Sequence, residues 1–202
     1  MRRNPVLTRY RFGGGLLWAL MLGAVAASAA PPPTEISVVA TAQDAAVQVT
    51  ARALLHAPIE LIWQTLTDYD HLARFIPGIA SSRVVSRQGA QLTIEQVGTA
   101  RLWFLTYPIS VTVTALEHPY EGIDVHLLQG NLRQLDGGYR IEPRPDGTTE
   151  LTWSGSIAPD APLPGFMRTP LLRRTISEQF TGMVREIERR ADLSLARSAL
   201  PR

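Results

Sequence analysis

The sequence predicts an α+β fold, a curved antiparallel sheet with a long C-terminal helix. Two features point there. Between Ser81 and Ile157 apolar and polar residues alternate in short runs separated by turn residues, the pattern of strands with one buried face. From Leu172 to Ala191 the apolar residues instead recur at three- and four-residue steps, one helical face about five turns long. Consecutive strands joined by tight turns pair antiparallel. A sheet that wraps a helix without closing leaves a space between them, the natural place for a ligand.

Residues 1–29 are set aside first. Arg2, Arg3, Arg9 and Arg11 precede an uncharged stretch, Phe12 to Ala30, that ends in the small residues Ala27-Ser28-Ala29 and then PPPTE. This is the layout of a secretory signal peptide, with an uncleaved N-terminal anchor as the alternative. Export to the periplasm or beyond is the expected localisation. All 20 basic residues are arginine; without the leader's four, the 18 acidic residues leave the chain near −2. The basicity belongs to the leader, and it implies no nucleic-acid partner. No cysteine is present, so the fold stands without disulfides. Residues 30–45 read as a linker and N-terminal segment, residues 46–192 as one domain, and residues 193–202 (LSLARSALPR) as a fraying tail.

Within the domain, Val47, Val49 and Ala51 alternate in a first strand. Pro58 then opens a helix whose Ile59, Ile62, Trp63 and Leu66 form one apolar face. LTDYDHLARFIPGI, residues 66–79, follows as a short helix–turn connector. SSRVVSRQ and AQLTIEQVG flank Gly89 as a hairpin. Ile109, Val111 and Val113 alternate in the next strand, Pro119–Gly122 is a turn, and Ile123, Val125 and Leu127 alternate again. GNLRQLDGG is either a loop or a bulged strand start. Tyr139 and Ile141 lead to the turn Pro145-Asp146-Gly147, and Leu151, Trp153, Gly155 and Ile157 line one face of the last strand. Thr169-Pro170 has the order of an N-cap and first helical residue for the C-terminal helix. Gly182 inside that helix costs roughly 1 kcal/mol against alanine, so a close approach is expected there.

Three stretches carry a resemblance: WQTLTDYDHLARFIPGI, GGYRIEP and LLRRTISEQFTGMVREIERR. They resemble the polyketide cyclase/dehydrase and coenzyme Q-binding START-like proteins of the helix-grip (SRPBCC) superfamily, over roughly residues 46–191. The resemblance implies about seven strands gripping the last helix, with two short helices after the first strand. It also implies a central cavity for an apolar ligand such as a lipid, quinone or polyketide. Tyr139 stands where relatives often have tryptophan.

Asp68 and Asp70 could begin a cation site, but no further acidic residues follow at loop spacing, and capping of the next short helix is the expected role. His56, His71, His118 and His126 lack metal-ligand spacing; neither a metal nor a cofactor is expected. There is no phosphate loop and no nucleophile elbow, so no catalytic residue is assigned. Arg101, Trp103, Tyr107, Arg133, Tyr139 and Trp153 lie on or between strands near the expected cavity. There an arginine beside aromatic rings could hold a polar head group, or the tryptophans are core and the arginines solvated. Phe180, Met183, Val184 and Ile187 are core on the last helix, and the resemblance places part of that face on the cavity.

Three functions follow; the first is preferred, the third ranks next and the second last. The first is an exported binding protein for an apolar small molecule of lipid or quinone class, meeting membranes through ligand exchange or its leader. The second is a cyclase or dehydratase, in which an arginine or tyrosine would stabilise an enolate. The third is an envelope interaction domain with a filled core. Oligomeric state is left open.

Overall fold

The computed structural model describes residues 34–160 and 163–198; the expected signal peptide and the last four residues lie outside the described residues. Pro33–Arg202 is one compact unit, and it holds every described strand and helix. Eight strands form one antiparallel sheet: β1 (Ile36–Gln43), β2 (Ala46–Leu55), β3 (Ile79–Gln88), β4 (Gln91–Leu102), β5 (Leu105–His118), β6 (Gly122–Gly130), β7 (Leu132–Pro143) and β8 (Thr149–Pro159). Their order across the sheet is β1-β2-β8-β7-β6-β5-β4-β3. Helix α1 (Ile59–Leu66) runs through the 3₁₀ turn Tyr69–Arg74 into β3, and helix α2 (Gly165–Ser198) follows β8. Helix α2 packs against β1 and β2 on one side and β4 on the other, so the sheet curves round it.

The predicted α+β architecture and strand order are present, with one strand more than expected. Residues 36–43, read as part of a linker, form β1, paired with β2 from Ile36↔Ala53 to Gln43↔Ala46. Its inward residues Ile36, Val38 and Ala40 are only half-buried, because an edge strand is covered from one side, and the alternation is correspondingly faint. The ambiguous 129–138 region is a bulged strand start, with a register shift between Leu132 and Gln134 against β8. The turn at Asp146 is built as its sequence suggests: its carboxylate accepts from Thr148 N at 3.0 Å, and Gly147 takes φ +84°.

Helix α2 is longer at both ends than the periodicity showed. It starts at Gly165, a full turn before Thr169, and Pro170 sits inside it. There Pro170 cannot donate to the Phe166 carbonyl, a loss confined to the helix's opening turns. The tail expected to fray continues as helix to Ser198.

The aspartates of the connector do not cap. Asp68 occupies the N-cap position but makes no side-chain capping bond. Its carboxylate instead accepts from Arg190 of α2 at 2.7 Å and contacts His71 at 2.6 Å. Asp70 accepts from the Val84 backbone N–H of β3 at 2.8 Å. Each aspartate thus fastens the connector to a different element. Arg190 also lies over the Phe75 ring, 5.4 Å from its centre. Gly182 explains itself here: a Cβ would meet Pro77 Cδ at 2.5 Å and Phe75 O at 2.6 Å, so the helix meets the connector through glycine's missing side chain.

Candidate functional site

Between the concave sheet and α2 lies a cavity of about 190 Å³. At roughly 10–15 Å³ per water, it holds a ligand many atoms in size. Strand alternation builds its walls. On β5, Tyr107, Ile109, Val111, Val113 and Ala115 all point inward. At about 3.3 Å per residue they trace roughly 27 Å of wall, so the space is long and narrow. Strand β4 adds Ile94, Gln96 and Ala100, β6 adds Ile123 and Val125, and β8 adds Trp153 and Ile157. Helix α2 presents a stripe at helical spacing, Leu172, Thr175, Ile176, Gln179, Phe180 and Met183. The connector closes one end with Leu66, Tyr69, Leu72 and Ile76. On the wall itself, Gly137 of β7 pairs with Gly155 of β8. A Cβ on Gly155 would stand 3.0 Å from Trp153 Cη2, so the glycine leaves room for the indole to lie along the strand.

None of the lining residues is charged. The polar groups are hydroxyls and amides. Tyr139 lines the cavity and makes no side-chain hydrogen bond to protein among the described residues; burial alone pushes its hydroxyl's pKa up. Tyr107 Oη donates to the Asn131 carbonyl, and burial raises its pKa as well. Gln96 Nε2 reaches Ser82 Oγ at 3.4 Å. Thr175 Oγ1 is buried without a partner among the described residues. At the connector end, burial and then the nearby Glu117 carboxylate push the Tyr69 phenol up, yet neither Tyr69 Oη nor Glu117 Oε1 has a partner at hydrogen-bonding geometry among the described residues. Glu117 continues the inward alternation of β5 just behind Tyr69, and Arg87 holds its other oxygen at 3.0 Å.

The residues nominated from sequence divide in two. Tyr107, Tyr139, Trp153, Phe180 and Met183 are on the cavity wall. Val184 and Ile187 are fully buried in the packing of α2 and do not reach it. The arginine–aromatic head-group arrangement is not there. Arg101 alternates outward between the buried Ala100 and Leu102. Trp103 lies past the end of β4, in the turn, where strand alternation no longer applies, and is 73% exposed. Arg133 sits in the β7 bulge and pairs outside with Asp160 at 2.8 Å. Gln96, Thr175 and Gln179 were missed. Gln179 and Thr175 lie on the apolar face of α2, and a polar residue on such a face was the available signal.

A single antiparallel sheet gripping a C-terminal helix over an apolar cavity defines a START-like, helix-grip protein. Residues 55–184 match the sequence model of the family described as "Polyketide cyclase / dehydrase and lipid transport", and the chain belongs to that family. No curated protein matches its sequence. Among solved structures, it is similar to a START superfamily protein from Mycobacterium smegmatis (18% identity, TM-score 0.60, covering 70% of this chain and 97% of that one). It is also similar to the Zhui aromatase/cyclase from Streptomyces sp. R1128 (14%, TM-score 0.59, 77% and 96%). A third is human StAR-related lipid transfer protein 5 (10%, TM-score 0.64, 76% and 82%). At these identities the likeness is one of fold.

Proposed function

We propose that this chain is an exported carrier that holds a neutral, elongated apolar molecule of lipid or quinone class between sheet and helix. The observation that carries this reading is a long cavity with no charged residue on its wall. Burial of apolar ligand surface at roughly 25 cal/mol per Å² supplies affinity there without dedicated polar contacts. The family description names lipid transport, and one similar structure is titled a lipid transfer protein. The leader supports an exported protein. Native mass spectrometry of the protein recovered from its own envelope fraction tests the carrier. A co-purifying neutral lipid or quinone is expected; a stably empty protein that also takes up no apolar dye would sink the reading.

Cyclase or dehydratase activity on a polyketide-like substrate stands second, favoured by Tyr139. Its unpartnered hydroxyl inside a cavity could hydrogen-bond a substrate carbonyl as charge develops on it. Turnover that is abolished by Tyr139→Phe would move this reading to first place.

A further inference from the structure

The tip of the β4–β5 hairpin breaks the rule for its turn. Leu102 pairs with Leu105, so Trp103-Phe104 is a two-residue loop. Such loops place their first residue at positive φ and strongly favour Gly, Asn or Asp there. Here Trp103 takes φ +53°, a genuine outlier for a bulky residue. The strained pair also contributes nothing visible to the core: Trp103 is 73% and Phe104 88% exposed. A stability cost kept for two exposed aromatic rings points to a role outside folding.

A third ring stands on the neighbouring element. Phe166, in the first turn of α2, is 76% exposed. The two elements touch: Leu102 and Leu171 are buried together, with Leu105 and Leu163 packed on them. The same small cluster includes Ala100, Tyr107 and Leu171 of the cavity wall. The exposed rings therefore belong to the two elements that wall the end of the cavity opposite Tyr69. Arg101 and Arg168 lie on the same two elements, and neither has a carboxylate partner among the described residues. Arg168 bonds instead to the carbonyls of Asp44, Ala45 and Leu163.

We propose that Trp103, Phe104 and Phe166 form a docking rim that enters the interfacial layer of an anionic lipid bilayer, with Arg101 facing the phosphates and the charge of Arg168, held by backbone carbonyls, behind it. Tryptophan and phenylalanine beside arginine suit that layer, where an amphipathic ring meets both head group and chain. Contact is peripheral, since among the described residues no helix is long and apolar enough to cross a membrane. The proposal rests on the carrier reading in one respect: it gives the cavity's occupant a short path out of the bilayer.

The test uses the compact unit from Pro33 onward, which removes the leader's own membrane affinity. Vesicles of phosphatidylethanolamine and phosphatidylglycerol are the probe. Trp103 emission should shift to the blue and be quenched by bromine-labelled acyl chains. The double variant Trp103→Gly, Phe104→Ser should lose about tenfold or more in vesicle partition while its melting temperature holds or rises, since glycine relieves the positive φ. Phe166→Ser should weaken partition independently. Absence of partition in the parent protein, or partition untouched by the double variant, overturns the proposal. So does sedimentation showing that the parent self-associates through this patch and the variant does not, because the rim would then cover a second copy. Nile red uptake in vesicle-free buffer reads the cavity alone. Vesicle binding without dye uptake would remove the carrier reading and leave the docking rim standing.

Discussion

Replacing Gly182 by alanine tests how the cavity is held open. An alanine is worth about 1 kcal/mol over glycine in a helix interior, so propensity alone predicts stabilisation. Geometry predicts the reverse. The new methyl would sit 2.5 Å from Pro77 Cδ and 2.6 Å from Phe75 O, where carbon contacts settle near 3.5–4.0 Å. Neither neighbour is a flexible side-chain end: one is a proline ring, the other a backbone carbonyl. Helix and connector must part by about 1 Å, and overpacking of this kind costs about 1–3 kcal/mol, here near the upper end. The net expectation is a loss of about 1–2 kcal/mol, or roughly 2–8 °C in Tm for a domain of this size. Urea unfolding with an unchanged m-value is the assay. The parting also shifts Phe180 and Met183, which flank position 182 and line the cavity, so Nile red uptake should fall too. A Gly182→Ala protein as stable as its parent would refute the close approach and the bracing role built on it.

Three further outcomes follow from the same geometry. Asp68→Asn should cost about 1 kcal/mol, a modest value because the Asp68–Arg190 pair is partly exposed and screened. Partial burial pushes the Asp68 carboxyl up, but its bonds to Arg190 and His71 outweigh this and hold it below the usual range. Its contribution is therefore full above about pH 4 and lost as pH falls through the lowered native pKa, and the gap between parent and variant in acid-titrated melts should close there. Tyr139→Phe removes an unpartnered hydroxyl, so the empty protein should be at least as stable; affinity for an oxygen-bearing ligand should drop about fivefold or more by titration. A fatty alcohol should outcompete the fatty acid of equal length by about tenfold or more at neutral pH, measured by displacement of Nile red, because the uncharged wall offers an ionised carboxylate no counter-charge.

The fold was legible where one face is buried and the other wet. Strand β5 alternates from Tyr107 to Glu117 and needs no tertiary knowledge to read. The helical stripe through Ile176, Phe180 and Met183 is equally plain. Legibility failed where alternation meets an interruption. Arg101 and Trp103 share a parity, but β4 ends at Leu102, so parity says nothing about Trp103. Arg133 sits in a bulge that resets its strand's register. Val184 and Ile187 share the apolar face with Phe180, yet whether a residue on that face meets packed sheet or open cavity depends on the sheet's curvature, which no local pattern encodes. Capping is a local rule, and the two aspartates answer to distant groups instead. Their partners, Arg190 and Val84, lie 122 and 14 residues away.

The connector and the cavity wall therefore divide the labour. The connector spends its charges on structure: Asp68 reaches α2 and Asp70 reaches β3, so the sequence most diagnostic of family is a brace. The wall carries no charge at all, and its few polar groups are neutral. In such a site a change of one methylene alters affinity only by tens of fold, whereas a mismatched hydrogen bond leaves a buried group unpaired and discriminates far more strongly. Ligand choice in this protein should thus follow the position of a neutral oxygen along an apolar body, read by Tyr139 and the amides of Gln96 and Gln179, more than it follows the body's length.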